Sequence, residues 1–200
     1  MTNLDIFFDK DIKKYSKSYF DYLNKILNSI DLEDIKNYVT ILLKARDDNS
    51  NIFFIGNGGS AATANHYAND LAIGLNISKP FKALSLCDNT AVITAIANDY
   101  GYEDVFVKQL KSLSKENDLV VAISASGNSL NLIKAIQYCN KNNINTVSII
   151  SFDGGAMKKI SKNCIFTKTD LKEYGPAEDV HLIINHLIHS YLVRYLYERD

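Results

Sequence analysis

An α/β fold, built on an open sheet of five parallel strands with helices on both faces, is what this sequence predicts. Three observations carry the prediction. Beyond residue 50, short apolar or β-branched runs alternate with stretches of helical periodicity. Each run is continuously hydrophobic, as a strand buried on both faces requires, where a half-exposed strand would alternate. The turns after the first and third runs are rich in glycine and serine, which let a strand pass directly into a helix.

The elements follow in order. Between residues 11 and 30, Ile12, Tyr15, Tyr19, Tyr22, Leu23, Ile26, Leu27 and Ile30 recur at spacings of three and four and describe one helical face. Asp31 is placed to cap a second helix, whose apolar stripe is Ile35, Tyr38, Val39, Leu42 and Leu43. Together they predict an antiparallel helical hairpin over residues 1–48, joined to an α/β core over 49–200 in a single domain. Strands are expected at 52–55, 83–87, 119–124, 146–151 and 164–167. In such a doubly wound, flavodoxin-like sheet, ligands bind beyond the C-terminal ends of the strands where the strand order reverses. A last helix over 176–197 is apolar almost all round, from Val180 and Leu182 to Tyr195 and Leu196. A domain of this size has little core left to cover it, which predicts burial against another copy of the chain.

The balance of 22 basic against 23 acidic residues leaves a formal charge of -1. That gives no electrostatic footprint for nucleic acid or an anionic membrane and favours a small-molecule partner. Cys87, Cys139 and Cys164 have no paired CxxC spacing and read as thiols of a reducing compartment. The N-terminal MTNLDIFFDKDIKK lacks the pattern of a secretory signal, and no apolar run approaches the ~18 residues of a membrane span, so a cytoplasmic location is expected.

The first strand runs directly into Gly56-Asn57-Gly58-Gly59-Ser60-Ala61 and a helix. Glycines there allow positive φ and close approach of backbone amides to a ligand, and the helix N-terminus favours an anion. The segment also fits G-x-G-x-x-A, with Asp88 beyond the second strand. Asp88 lies about 27 residues past Ala61, where a ribose-binding acid would stand ~20 residues on, so no nucleotide cofactor is expected. The third strand leads into Ser124-Ala125-Ser126-Gly127-Asn128-Ser129, whose three hydroxyls and free amides suit a phosphate, with Ser129 expected to cap the following helix. Both loops follow parallel strands and so face one edge of the sheet.

His66 and Asp70 are four apart on the helix after the first loop and share a face; they form either a salt-bridging surface pair or a grip on a metal ion or substrate. Glu178 and His186, eight apart, fall ~80° from one another on the last helix. His181 and His189 lie on that helix too, which leaves open which histidine carries chemistry.

Together the segments GNGGSAATANHYANDL, AIANDYGYEDVF, ISASGNS and AEDVHLIINHLI resemble the SIS (sugar isomerase) domain family, and most closely its phosphoheptose isomerases. The resemblance runs from the N-terminal helices to the end of the chain. It implies interconversion of sedoheptulose 7-phosphate and a glycero-manno-heptose 7-phosphate through a cis-enediol, feeding bacterial surface-polysaccharide synthesis. It also implies a homotetramer with active sites between subunits. Carried over by position, Asn57, Gly58, Gly59, Asn98 and Asp99 would contact the sugar, Ser124, Ser126 and Ser129 would hold the phosphate, and Ser60 and Ala125 would also line the substrate site. The family's zinc ligands, His, Glu, Gln and His, fall on His66, Asp70, Glu178 and His186, so two of the four differ. By the same resemblance Asp70, assisted by Glu178, would be the base and His186 the acid or proton shuttle, with Glu178 also touching substrate. The rival readings are an SIS-fold sugar-phosphate sensor without catalysis, such as a replication-initiation regulator, and an isomerase of another phosphosugar.

Overall fold

The computed structural model describes residues 1–75 and 78–197. A short helix α1 (Asn3–Ile6) precedes α2 (Ile12–Leu27) and α3 (Leu32–Asp47). The α/β part then runs β1 (Asn51–Gly56), α4 (Gly59–Asn69), β2 (Lys82–Ser85), α5 (Thr90–Tyr100), α6 (Val105–Leu113), β3 (Leu119–Ser124), α7 (Leu130–Lys141), β4 (Asn145–Ile150), α8 (Gly155–Ile160), β5 (Asn163–Phe166) and α9 (Tyr174–Tyr197). All five strands are parallel in the order β2-β1-β3-β4-β5, the doubly wound arrangement expected from the sequence. The order reverses between β1 and β3, so the two polar loops issue from neighbouring strands at the switch point.

The continuous hydrophobicity of the strands has its reason in two separate cores. Ile52 and Phe54 of β1 and Leu119, Val121 and Ile123 of β3 point to one face, which α2, α3, α4 and α9 cover. Phe53, Ile55, Val120 and Ala122 point to the other, under α6, α7 and α8. A period of two thus sends alternate side chains of one apolar run into different cores.

Asp31 caps α3 as expected, accepting the Glu33 N–H. The two N-terminal helices settle on different supports: α2 lies along α9, while α3 lies along β5. Glu173, buried just before α9, ties the N-terminus down by accepting from the Leu4 N–H and the Tyr22 hydroxyl. The second strand is shorter than the sequence suggests and stops at Ser85, whose hydroxyl accepts the Cys87 N–H and turns the backbone out of the ladder. The last helix begins two residues before Pro176, a position where proline's missing N–H leaves no helical bond unmade. Cys139 is fully buried and Cys87 and Cys164 half-buried, all three as free thiols. No described helix is long and apolar enough to cross a membrane.

One departure from regular helix bears on function. At its C-terminal end α4 passes into a π-helical turn, Asp70–Gly74, which widens the coil where Asp70 stands. Single π turns inside helices are frequent at functional sites.

Candidate active site

The β1 loop is fixed by a side-chain clasp. Asn57 and Asn131, the latter buried in the first turn of α7, exchange both amide hydrogen bonds at 3.0 and 2.9 Å. Tyr102 adds a third, its hydroxyl donating to Asn57 Oδ1 at 2.8 Å. Lys134 of α7 holds the Tyr102–Asp104 turn in place through Asp104 at 2.9 Å. The backbone beyond Asn57 then opens α4 with Gly58 at φ +55°, and with no side-chain cap there the Gly59 and Ser60 N–H groups precede the first helical bond, which the Ala61 N–H makes.

The serine loop uses its hydroxyls selectively. Ser124 Oγ accepts the Gly127 N–H at 3.0 Å and Ser126 Oγ accepts the Asn128 N–H at 3.2 Å. Each hydroxyl therefore acts as acceptor towards its own loop and keeps its proton to donate elsewhere. Ser129 occupies the N-cap of α7 but makes no capping bond, contrary to expectation, so its hydroxyl and the Leu130 and Asn131 N–H groups are uncommitted, while the Leu132 N–H is taken by Asn131 Oδ1. Gly127, at φ +63°, packs so tightly on the Gly154 carbonyl that a β-carbon there would overlap it.

Ala125 meets Phe152 and Ala177 in a small apolar cluster, which brings the start of α9 up to both loops. The next residue, Glu178, lays its carboxylate directly on Gly59, where any side chain would collide with it. Burial, and then the neighbouring Asp179, push the Glu178 carboxyl above the usual carboxylate range.

From that point α4 and α9 run side by side in the same direction. Glu178 faces Gly59, His186 faces His66, Asn185 faces Asp70 and His189 faces Gly74. His66 Nε2 lies 3.3 Å from His186 Nε2 and 3.5 Å from Asp70 Oδ2, and the two imidazoles are open to solvent while Asp70 is buried. The ligand atoms of all three residues lie within 4.8 Å of one another. Zinc bonds of ~2.0–2.1 Å in a tetrahedral set put neighbouring ligand atoms ~3.3–3.4 Å apart. The His66–His186 and His66–Asp70 separations match that spacing and the third pair lies within 4.8 Å, so two imidazoles and a carboxylate are grouped as such an ion needs, with a coordination position left open.

The structure divides the predicted residues between two places. Asn57, Gly58, Gly59, the buried Ser60, Ser124, Ala125, Ser126, Ser129 and Glu178 gather at the C-terminal edge of β1 and β3. His66, Asp70 and His186 gather further along α4, which at 1.5 Å per residue is roughly 10–16 Å from Gly59. The helix runs back from that edge, so residues seven and eleven positions on cannot remain there. Glu178 is outside the three-residue group, and Asn98 and Asp99 lie exposed near the end of α5, where Asn98 donates to Asp99.

His181 is fully buried, with Nε2 on Ser151 at 2.9 Å and near Thr167, and burial pushes it down to about 4. It stays neutral and belongs to the core. Asn185, Asn131 and Tyr102 are site-forming residues that sequence reasoning missed. The available signal was one buried-side asparagine in an otherwise apolar helix and one in the first turn after the serine loop.

A family model for the SIS domain matches residues 18–151, about two-thirds of the chain. The phosphoheptose isomerase of Helicobacter pylori strain Shi470 is 34% identical over 190 residues, covering 94% of this chain and 97% of that one. That of Akkermansia muciniphila is 35% identical over 168 residues, covering 84% and 86%. The structure of phosphoheptose isomerase GmhA from Neisseria gonorrhoeae superposes with a TM-score of 0.81 at 26% identity, over 90% of this chain and 98% of that one. The matched segment of the family model stops before α9, which carries Glu178, Asn185 and His186.

Proposed function

The chain belongs to the SIS domain family and groups with its phosphoheptose isomerases, and from that premise we propose how its own residues interconvert sedoheptulose 7-phosphate and glycero-manno-heptose 7-phosphate. The relatives are aldose-ketose isomerases, and this chain is one by the same membership, not a sugar-phosphate sensor without chemistry. The observation that carries the residue assignment is the meeting of Asp70 with His66 and His186 across the α4–α9 seam.

The phosphate seats on the serine loop. Ser124 and Ser126 donate the protons their loop bonds leave free, and Ser129 and the Leu130 and Asn131 N–H groups complete the cradle with the helix dipole behind them. Binding energy from this non-reacting end positions the reacting carbons. Asp70 takes the proton from the carbon beside the carbonyl and returns it to the neighbouring carbon, passing through a cis-enediol. His186, whose ring faces His66, moves the proton between the two sugar oxygens. Glu178, kept protonated to higher pH by its burial, assists at the loop end of the sugar. A zinc ion held by His66, Asp70 and His186 would supply polarisation of the carbonyl.

An extended seven-carbon phosphate reaches roughly 10 Å from its carbonyl carbons to phosphorus. The exposed apolar stripe Ile183, Leu187, Tyr191 and Tyr195 on α9 supports association of copies. We assign a cytoplasmic homotetramer with sites between subunits, in which the serine loop of one protomer faces the acid and imidazole group of its neighbour.

Two measurements test the reading. Purified protein incubated with sedoheptulose 7-phosphate should yield the aldose by NMR, and a panel of five- to seven-carbon phosphosugars should show the heptose preferred. Mixing a Ser124→Ala/Ser126→Ala variant with a His186→Ala variant should restore activity through hybrid oligomers. Wild-type rates in His186→Ala alone would remove that histidine from the mechanism, and no restoration would confine the site to one chain.

A further inference from the structure

We propose that Asn185 is a positioning residue for Asp70, its amide holding the carboxylate turned towards the His66 and His186 imidazoles. The inference rests on the reading of that site given above. Asn185 Nδ2 donates to Asp70 Oδ2 at 2.8 Å, and this is the same oxygen that lies 3.5 Å from His66 Nε2. A short aspartate side chain can swing either oxygen, or neither, towards the imidazoles by turning about its Cβ–Cγ bond. On α4 itself the other contact is a stretched one, from Asn69 Nδ2 to Oδ1 at 3.4 Å. The amide from α9 is the short hydrogen bond and it selects Oδ2.

The way Asn185 is used argues that the donor is its purpose. The residue is 1% exposed and its Oδ1 is buried without a hydrogen-bond partner. It stands between Ile184 and Ile188 in the apolar core that also takes in Leu71. A leucine, with the same number of side-chain heavy atoms, would fill the place with apolar groups and strand no oxygen. Asparagine is worse for packing there and better only for what its N–H does to Asp70. Asn185 also adjoins His186 in sequence, so one turn of α9 presents the histidine to His66 and fixes the carboxylate beside it. Partners behind the first ligands commonly set ligand orientation in this way, and their loss weakens metal affinity about 10–100-fold.

The test uses the full chain and two substitutions. Asn185→Leu keeps the number of heavy atoms and removes the donor; Asn185→Asp keeps the shape and offers an acceptor where the donor stood. Both are stripped of metal and compared with wild type for Zn2+ affinity against a chromophoric chelator, for the visible spectrum with Co2+, and for thermal melting. We expect melting within a few degrees of wild type, Zn2+ affinity lower by about 10–100-fold and an altered Co2+ spectrum. With sedoheptulose 7-phosphate, kcat should fall while KM stays within about twofold. In an Asp70→Asn background, Asn185→Leu should cause no further loss of Zn2+ affinity, because its effect passes through Asp70.

Wild-type Zn2+ affinity in whichever variant folds overturns the proposal. So does a full additional loss in the Asp70→Asn background, or a wild-type chain that binds neither ion. Tight metal binding that depends on Asn185, in a protein that turns over no heptose phosphate, would leave the positioning role standing and overturn the isomerase assignment instead.

Discussion

Asp118 and Asp70 are both buried carboxylates, one at the N-terminal end of β3 and the other in the seam between α4 and α9, and they are partnered in opposite ways. Asp118 accepts the Asn51 N–H at 2.8 Å, the Lys115 N–H at 2.9 Å and the Asn51 side-chain amide at 3.2 Å. Its acceptor capacity is spent on backbone and amide donors that tie β1 to the turn before β3. Asp70 has one short amide bond, a stretched one and an imidazole, and close by are buried polar atoms without partners, Asn185 Oδ1 and His189 Nε2. A buried polar group saturated by its own fold can do nothing else, whereas one left with spare capacity is destabilising unless a ligand or reaction uses it. The same contrast separates the committed Asn57 amide from the uncommitted Ser129 hydroxyl.

The contrast breaks most sharply if the two aspartates can be exchanged in role. Asp70→Asn should lower kcat about a thousandfold, or ~4 kcal/mol in the barrier, with a melting temperature little changed. A variant keeping a tenth of wild-type activity would take Asp70 out of the proton transfer. Asp118→Ala should do the reverse. Three donors left without an acceptor cost about 3–4 kcal/mol in urea unfolding, while activity per folded molecule stays at wild type. Loss of activity without loss of stability at Asp118 would show that saturation does not mark a structural carboxylate.

The parts of this molecule that depend on local pattern were legible in the sequence. Ile52 to Ile55 read as a strand because both faces are apolar, the Asp31 cap because capping is a matter of three residues, and the serine loop because hydroxyls and glycine crowd six positions. What was not legible depends on which helices become neighbours. Asn185 gains its meaning only from Asp70, 115 positions away, and Asn131 from Asn57, 74 away. The π turn at Asp70 has no composition that announces it. Nor could spacing show that the direction of α4 carries His66 and Asp70 away from the loop edge while Glu178 stays there; the hand and length of the helix decide that only once α9 lies beside it.

His181 sharpens the comparison through pH. Its folded form is pushed down to about 4 by burial from an ordinary 6.5, so it is neutral in the fold and the unfolded chain takes up a proton first. Stability from this group is therefore full above pH 6.5 and is lost as pH falls towards 4. The loss amounts to roughly 3 kcal/mol at the lower end, since one pKa unit is worth ~1.4 kcal/mol. Urea unfolding across pH 4 to 8 should show that slope in wild type and a flatter one in His181→Gln. An equal slope in both would assign the acid sensitivity to other groups.

The smallest effect separates the two kinds of polar group at one hydroxyl. Serine at a helix N-cap ordinarily accepts a backbone N–H, and its replacement by alanine costs ~1 kcal/mol of stability. Ser129 holds that position on α7 without making the bond. Ser129→Ala should then leave urea unfolding within about 0.3 kcal/mol of wild type, because no fold contact is lost. If the hydroxyl is instead reserved for phosphate, KM should rise about tenfold, equal to ~1.4 kcal/mol, while kcat stays within a factor of two. A drop of a full kcal/mol in stability with KM unchanged would mean that Ser129 caps its helix in solution, and spare capacity seen at a loop would no longer indicate a ligand.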